Sequence, residues 1–116
     1  MSNMGKRIER VNKLLKEQIN NILLREIDFE GVLATITDVE TTPDLRYCNM
    51  KISVMPENKE KIILKKIENQ IYGIQKTLNK KLNMRPVPKI KFKIDQDTKK
   101  LHKIDELLSK TRIKNG

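Results

Sequence analysis

The segment LNKKLNMRPVPKIKFKID, residues 78–95, sets Lys80, Lys81, Arg85, Lys89, Lys91 and Lys93 among regularly spaced apolar residues, with no acid before Asp95. Ammonium and guanidinium groups donate hydrogen bonds and accept none, so a surface built from them suits phosphate or carboxylate oxygens. Surface helices usually alternate charge to gain pairs between residues four apart. Here no acid lies between Glu68 and Asp95, and Lys76 extends the same sign backwards. Charge this dense repels itself, and a polyanion that takes the place of its surroundings relieves the repulsion. Lys89, Lys91 and Lys93 have a second explanation, because lysines on an edge strand guard it against stray pairing. That account does not reach Lys76, Lys80, Lys81 and Arg85.

Groups suited to catalysis are sparse. His102 is the one histidine and reads as a surface residue of a helix. Cys48 falls on the apolar side of a strand, where a buried thiol is inert. Asp95 and Asp97 could be imagined around Mg²⁺, but they fit better as the end of a strand and the start of a helix, with Asp97 or Thr98 as its N-cap. Metal-ligand spacing, a glycine-rich phosphate loop and a nucleophile motif are all missing. No catalytic residue, metal site or cofactor is expected, and the chain reads as a binding protein rather than an enzyme.

The elements that must position the basic residues follow from periodicity. Ile8, Val11, Leu15, Ile19, Ile22 and Leu23 recur at helical spacing, which predicts an amphipathic helix of about five turns after a short polar start. VLATITDVET (32–41) is β-branched and reads as a strand. TTPDLR is a turn, and in YCNMKISV the apolar Cys48, Met50, Ile52 and Val54 alternate with polar residues as a second strand. A long helical run carries Ile63, Ile67, Ile71, Ile74, Leu78 and Leu82. Gly73 lies inside it, which predicts two helices or one bent at Tyr72-Gly73. Pro86 and Pro88 precede the strand KIKFKI, and a last amphipathic helix holds Leu101, Ile104, Leu107 and Leu108.

The order is α-β-β-α-α-β-α, an α+β chain with a three-stranded sheet and helices on one face. The first two strands are expected to be antiparallel. The third, arriving after a helical crossover, is expected beside the first in either sense. This is the topology of a type II KH domain, a single domain over residues 1–110, with a flexible basic tail at 111–116. Lys80, Lys81, Arg85, Lys89 and Lys91 are expected to form one continuous basic face. Tyr72 is the aromatic candidate for stacking in the basic third.

Bulk properties agree with a nucleic-acid partner. The net charge is +10, and residues 58–94 hold +9 of it, eleven bases against two acids. Residues 29–57 are acidic, with two bases against five acids. Such an excess favours polyanions, either nucleic acid or an acidic membrane surface. One cysteine suits a reducing compartment. No apolar run approaches the ~20 residues of a membrane span, and the polar opening is unlike a secretory leader. A cytoplasmic protein without membrane contact is expected. A basic DNA-associated protein, and a protein that binds other proteins through its acidic middle, are the rival classes.

The chain resembles the ribosome-binding factor A family in three blocks at matching spacing. KRIERVNKLLKEQINNIL is similar to the family's opening helix, including Arg7, Arg10 and Val11. TITDVETTPDLRYCNMKISV is similar to its strand-turn-strand block. LNMRPVPKIKFKID carries the family pattern through Met84, Arg85, Pro88, Ile90, Phe92 and Asp95, and KIDELL fits the closing helix. The family replaces the Gly-x-x-Gly loop of KH domains with an Ala-x-Gly kink followed by an Ile-Arg pair. Aligned without gaps, those positions are Gln70, Ile71 and Tyr72, then Gly73, Ile74 and Gln75, so the glycine is displaced by one residue and the arginine is absent. Lys76 is the nearest substitute for that charge.

The resemblance implies a monomeric, non-enzymatic assembly factor. It would bind the free 30S subunit, assist late folding and 5′-end processing of 16S rRNA, and matter most in the cold. Its contacts would lie near the 5′-terminal helix and the decoding region of 16S rRNA. Arg7 and Arg10 then join Lys76, Lys80, Lys81, Arg85, Lys89, Lys91 and Lys93 as RNA-binding residues, with Tyr72 and Gly73 at the kink. A KH-like module acting on other RNAs is the alternative.

Overall fold

The structure is a computed structural model that describes residues 2–97. The expected closing helix with Leu101, Ile104, Leu107 and Leu108, together with His102 and the tail at 111–116, lies outside the described residues.

Helix α1, Ser2–Glu26, buries Leu15, Ile19, Ile22 and Leu23 along one stripe. It is 25 residues long, about seven turns rather than the expected five. The polar start continues the helix because nothing in it forbids one; Gly5 costs only about 1 kcal/mol. A tight turn follows, in which the Val32 N–H donates to the Phe29 carbonyl at 2.9 Å. Glu30 and Gly31 both have positive φ there, 49° and 80°, the geometry of a type I′ turn, which suits glycine.

Strands β1, Leu33–Thr41, and β2, Tyr47–Met55, pair antiparallel as expected. A bulge at Thr37, between the pairs Ile36–Ile52 and Asp38–Lys51, resets the alternation. Ile36 and Val39 therefore both face inward although they are three residues apart. After a 3-10 turn at Glu57–Lys59, helices α2, Glu60–Asn69, and α3, Ile71–Lys81, bury Ile63, Ile67, Ile74 and Leu78. The break between them falls at Gln70, with φ −101° and ψ 1°. It does not fall at Tyr72-Gly73: Gly73 is the third residue of α3, in helical backbone without positive φ. Gln70 can close α2 because its N–H donates to the Ile67 carbonyl, and its own carbonyl accepts the first bond of α3, from Ile74.

Strand β3, Lys89–Ile94, lies parallel to β2 in the register Cys48–Ile90 to Ile52–Ile94. The sheet order is β1-β2-β3, so the third strand joins the second and not the first. A strand that returns through a helical crossover joins its neighbour in parallel, and this register sets Ile90 beside Cys48 under the helices. All described helices pack on one face. The core between is aliphatic, built on Leu15, Ile19, Met50, Ile52, Ile63, Ile67, Ile74, Leu78 and Ile90. Cys48 is fully buried there, as expected, and burial pushes its thiol pKa up. Asp95, just beyond β3, caps the next segment. Its Oδ1 accepts from the Asp97 N–H at 3.0 Å, while Gln96 and Asp97 are already helical. Asp95 and not Asp97 therefore supplies this cap, because a carboxylate two residues back reaches the free N–H; Thr98, the other expected cap, lies outside the described residues.

Candidate nucleic-acid interface

The sheet divides the basic residues into two sets. Lys76, Lys80 and Lys81 are exposed on α3, in the helical layer, and Arg85 is exposed in the segment after it. Lys89, Lys91 and Lys93 alternate with Ile90, which is buried under the helices, so they project from the opposite, open face. The expected single face is thus two surfaces that meet only around the β3 edge, because a period of two sends every second residue through the sheet. Arg7 and Arg10 are exposed on the first half of α1. That half is tied to the β1–β2 turn by the Thr41 hydroxyl, which donates to Asn12 Oδ1 at 2.5 Å.

Each set has its own local chemistry. Lys80 and Lys81 occupy the last turn of α3, and Arg85 Nη1 donates to the Met84 carbonyl at 2.9 Å and the Leu82 carbonyl at 3.4 Å. These cations complement the negative end of the helix. On the open face, Lys51 of β2 pairs with Asp97 at 3.4 Å, and that carboxylate raises the Lys51 pKa. Lys93 stands directly beside Lys51. Among the described residues, Lys89, Lys91 and Lys93 make no ion pair.

Two aromatic residues accompany these cations. Tyr72 is 84% exposed and borders a groove between α3 and the start of β3, walled by Ile71, Gln75, Asn79, Val87, Lys89 and Ile90. Tyr47 opens β2 on the open face, 44% exposed, with the Lys91 ammonium 5.5 Å from its ring centroid. Sequence reasoning passes over Tyr47 in favour of Tyr72. The signal is present all the same: Tyr47 shares the parity of Asn49 and Lys51, opposite that of buried Cys48, Met50 and Ile52.

Similarity to known proteins bears on this arrangement. The family model for ribosome-binding factor A matches residues 7–108. A ribosome-binding factor A from Protochlamydia amoebophila is 34% identical over 107 residues, 90% of this chain and 82% of the relative. One from Clostridium botulinum, strain Alaska E43, is 32% identical over 109 residues, 90% of this chain and 94% of the relative. The crystal structure of ribosome-binding factor A from Thermus thermophilus superposes with a TM-score of 0.63 at 18% identity, over 75% of this chain and 94% of that one. This chain belongs to the ribosome-binding factor A family. Its fold is the KH-like α+β architecture expected from the element order.

Gln75, on the side of α3 that faces β3, has a definite task in the fold. Its Oε1 accepts from the Ile90 N–H at 2.9 Å, and its Nε2 donates to the Pro88 carbonyl at 3.0 Å. The amide therefore acts as a neighbouring peptide for the outer edge of β3, and locks that strand to α3. Among the described residues, no group of three or more His, Cys, Asp or Glu side chains is placed to hold a metal ion. No described helix is long and apolar enough to cross a membrane.

Proposed function

We propose that this chain is a non-enzymatic, monomeric assembly factor that binds the free 30S ribosomal subunit in the cytoplasm. It assists late maturation and 5′-end processing of 16S rRNA, most critically in the cold, and needs no cofactor. Family membership supports a role in ribosome biogenesis. The observation that carries RNA binding is the column Lys89, Lys91 and Lys93, exposed on a sheet face and uncompensated by any described carboxylate. Phosphate contacts from such a column are sequence-independent and give affinity through counter-ion release. Arg7, Arg10, Lys76, Lys80, Lys81 and Arg85 extend the positive potential around the molecule. Contacts near the 5′-terminal helix and the decoding region follow from the family likeness.

Co-sedimentation tests this reading. The protein is expected to travel with free 30S particles and not with 70S ribosomes, and to leave them as salt rises. Association with 70S particles alone, or with neither particle while other RNAs are bound, overturns it in favour of a KH-like module with a different RNA target.

A further inference from the structure

The open face of the sheet holds one aromatic side chain in a basic setting, and the fold keeps it in place. Tyr47 stands at the mouth of the β1–β2 turn. Its N–H donates to Thr42 Oγ1 at 3.2 Å, and its carbonyl accepts from the Thr42 N–H at 2.9 Å. Thr42 is held in turn, its hydroxyl donating to Asp44 Oδ1 at 2.6 Å, and this bond helps lower the Asp44 pKa. On the other side β3 starts with the Lys89 N–H donating to the Arg46 carbonyl at 2.8 Å. The ring thus rises from a backbone fixed on both sides, with Lys89 beside it in register and Lys91 over it. Folding makes little use of this ring, which is nearly half exposed and whose hydroxyl has no hydrogen bond among the described residues.

We propose that Tyr47 is a stacking platform for an unpaired nucleobase of RNA, with Lys89 and Lys91 taking the flanking phosphates. This inference rests on the RNA-binding reading above and names a surface for it. An ammonium over an exposed ring is a weak contact, so a base can replace Lys91 on the ring and release it to a phosphate. Lys89 and Lys91 are two residues apart, about 6.6 Å along the strand, enough to serve separate phosphates. Asn49, next along the face and beside Lys91, has an amide that both donates and accepts at a base edge. A protein partner fits this corner poorly, because the ring is isolated among polar side chains. The other exposed apolar residues of the face, Leu33 and Met55, pair with each other at the far end of β2. Stacking also requires a base free of a duplex, which selects single-stranded RNA.

Intrinsic fluorescence can isolate the site, since the chain has no tryptophan and two tyrosines. In the full chain carrying Tyr72→Phe, Tyr47 is the one emitting tyrosine. A single-stranded oligoribonucleotide of mixed sequence is expected to quench it, while inorganic polyphosphate binds without quenching. Separately, Tyr47→Ala is expected to weaken oligoribonucleotide binding roughly tenfold and leave polyphosphate affinity unchanged. Tyr47→Phe is expected to bind as the parent does. Lys91→Met is expected to lower the salt slope by about 0.7. Equal quenching by polyphosphate, absence of quenching by the oligoribonucleotide, or full affinity in folded Tyr47→Ala overturns the platform. Co-sedimentation of the unsubstituted protein with 30S particles separates the two readings: if it persists while quenching fails, only the platform falls.

Discussion

The two basic regions differ in what the fold itself does with their charge. At the end of α3, Lys80, Lys81 and Arg85 sit where the last carbonyls of a helix are left without partners, and Arg85 donates to two carbonyls of that region. Folding alone rewards positive charge there. Along β3, Lys89, Lys91 and Lys93 repel one another and Lys93 faces Lys51 across the pair, an arrangement that costs stability in isolation. Edge protection accounts for part of it, since β3 is an outer strand. The comparison reverses the weighting that the sequence suggests, in which the strand lysines were the explained ones and the helix cations were not. The region that folding does not reward is the stronger candidate for an external polyanion.

Charge reversal tests this most directly and carries the largest expected effect. Lys89→Glu, Lys91→Glu and Lys93→Glu together are expected to lower 30S association about 100-fold or more, with the thermal midpoint unchanged or raised. Each lost phosphate contact also removes about 0.7–0.9 from the salt slope. Lys80→Glu, Lys81→Glu and Arg85→Glu together are expected to cost about 1 kcal/mol of stability through the helix end, and to weaken association by only about tenfold. Co-sedimentation and melting of the two triple variants give four numbers. If the helix triple loses all binding at full stability while the strand triple keeps it, the comparison is inverted.

Gln75 joins the two regions, because it stands on α3 and pairs with the backbone at the start of β3. Gln75→Ala leaves a part-buried N–H and carbonyl without their partner and is expected to cost about 1–2 kcal/mol. Gln75→Glu keeps an acceptor for the Ile90 N–H but cannot donate to the Pro88 carbonyl, so it is expected to fall between. Denaturant melts of both variants check this, and no loss in Gln75→Ala would mean that β3 holds its place through β2 alone.

Much of this was legible in the sequence, and the parts that were not have identifiable causes. The alternation of Cys48, Met50, Ile52 and Val54 marked the buried side of β2 without ambiguity. The apolar spacing Ile63, Ile67, Ile74 and Leu78 marked both crossover helices. That same spacing hid the break, because Ile67 and Ile74 are seven residues apart, close to two turns, and read as one continuous stripe. With no interruption in the stripe, glycine was the natural place to put a bend, yet Gln70 makes the break through backbone bonds that any residue type except proline could form. The partner of β3 was illegible for a different reason. Its inward side, Ile90 with Phe92 and Ile94 half-buried, suits either neighbour, and only the packed helices choose between them. Division of the lysines into two surfaces followed from that choice.

Gly73 gives the smallest expected effect and the sharpest sign. It lies in the first turn of α3 with helical backbone, and a Cβ added there meets nothing within 4 Å. Alanine loses less backbone entropy on folding than glycine does, so Gly73→Ala is expected to stabilise the protein by about 0.5–1 kcal/mol. It should leave 30S association unchanged, because the direction of α3 and hence the placement of Lys76, Lys80 and Lys81 is set one turn earlier, at Gln70. A destabilised Gly73→Ala protein with weakened association would show that the helix pair bends at Tyr72-Gly73 when RNA is bound. That result would also return the cations of α3 to the centre of the interface, since their orientation would then depend on the bend. A thermal melt and a sedimentation profile of this one variant distinguish the two geometries.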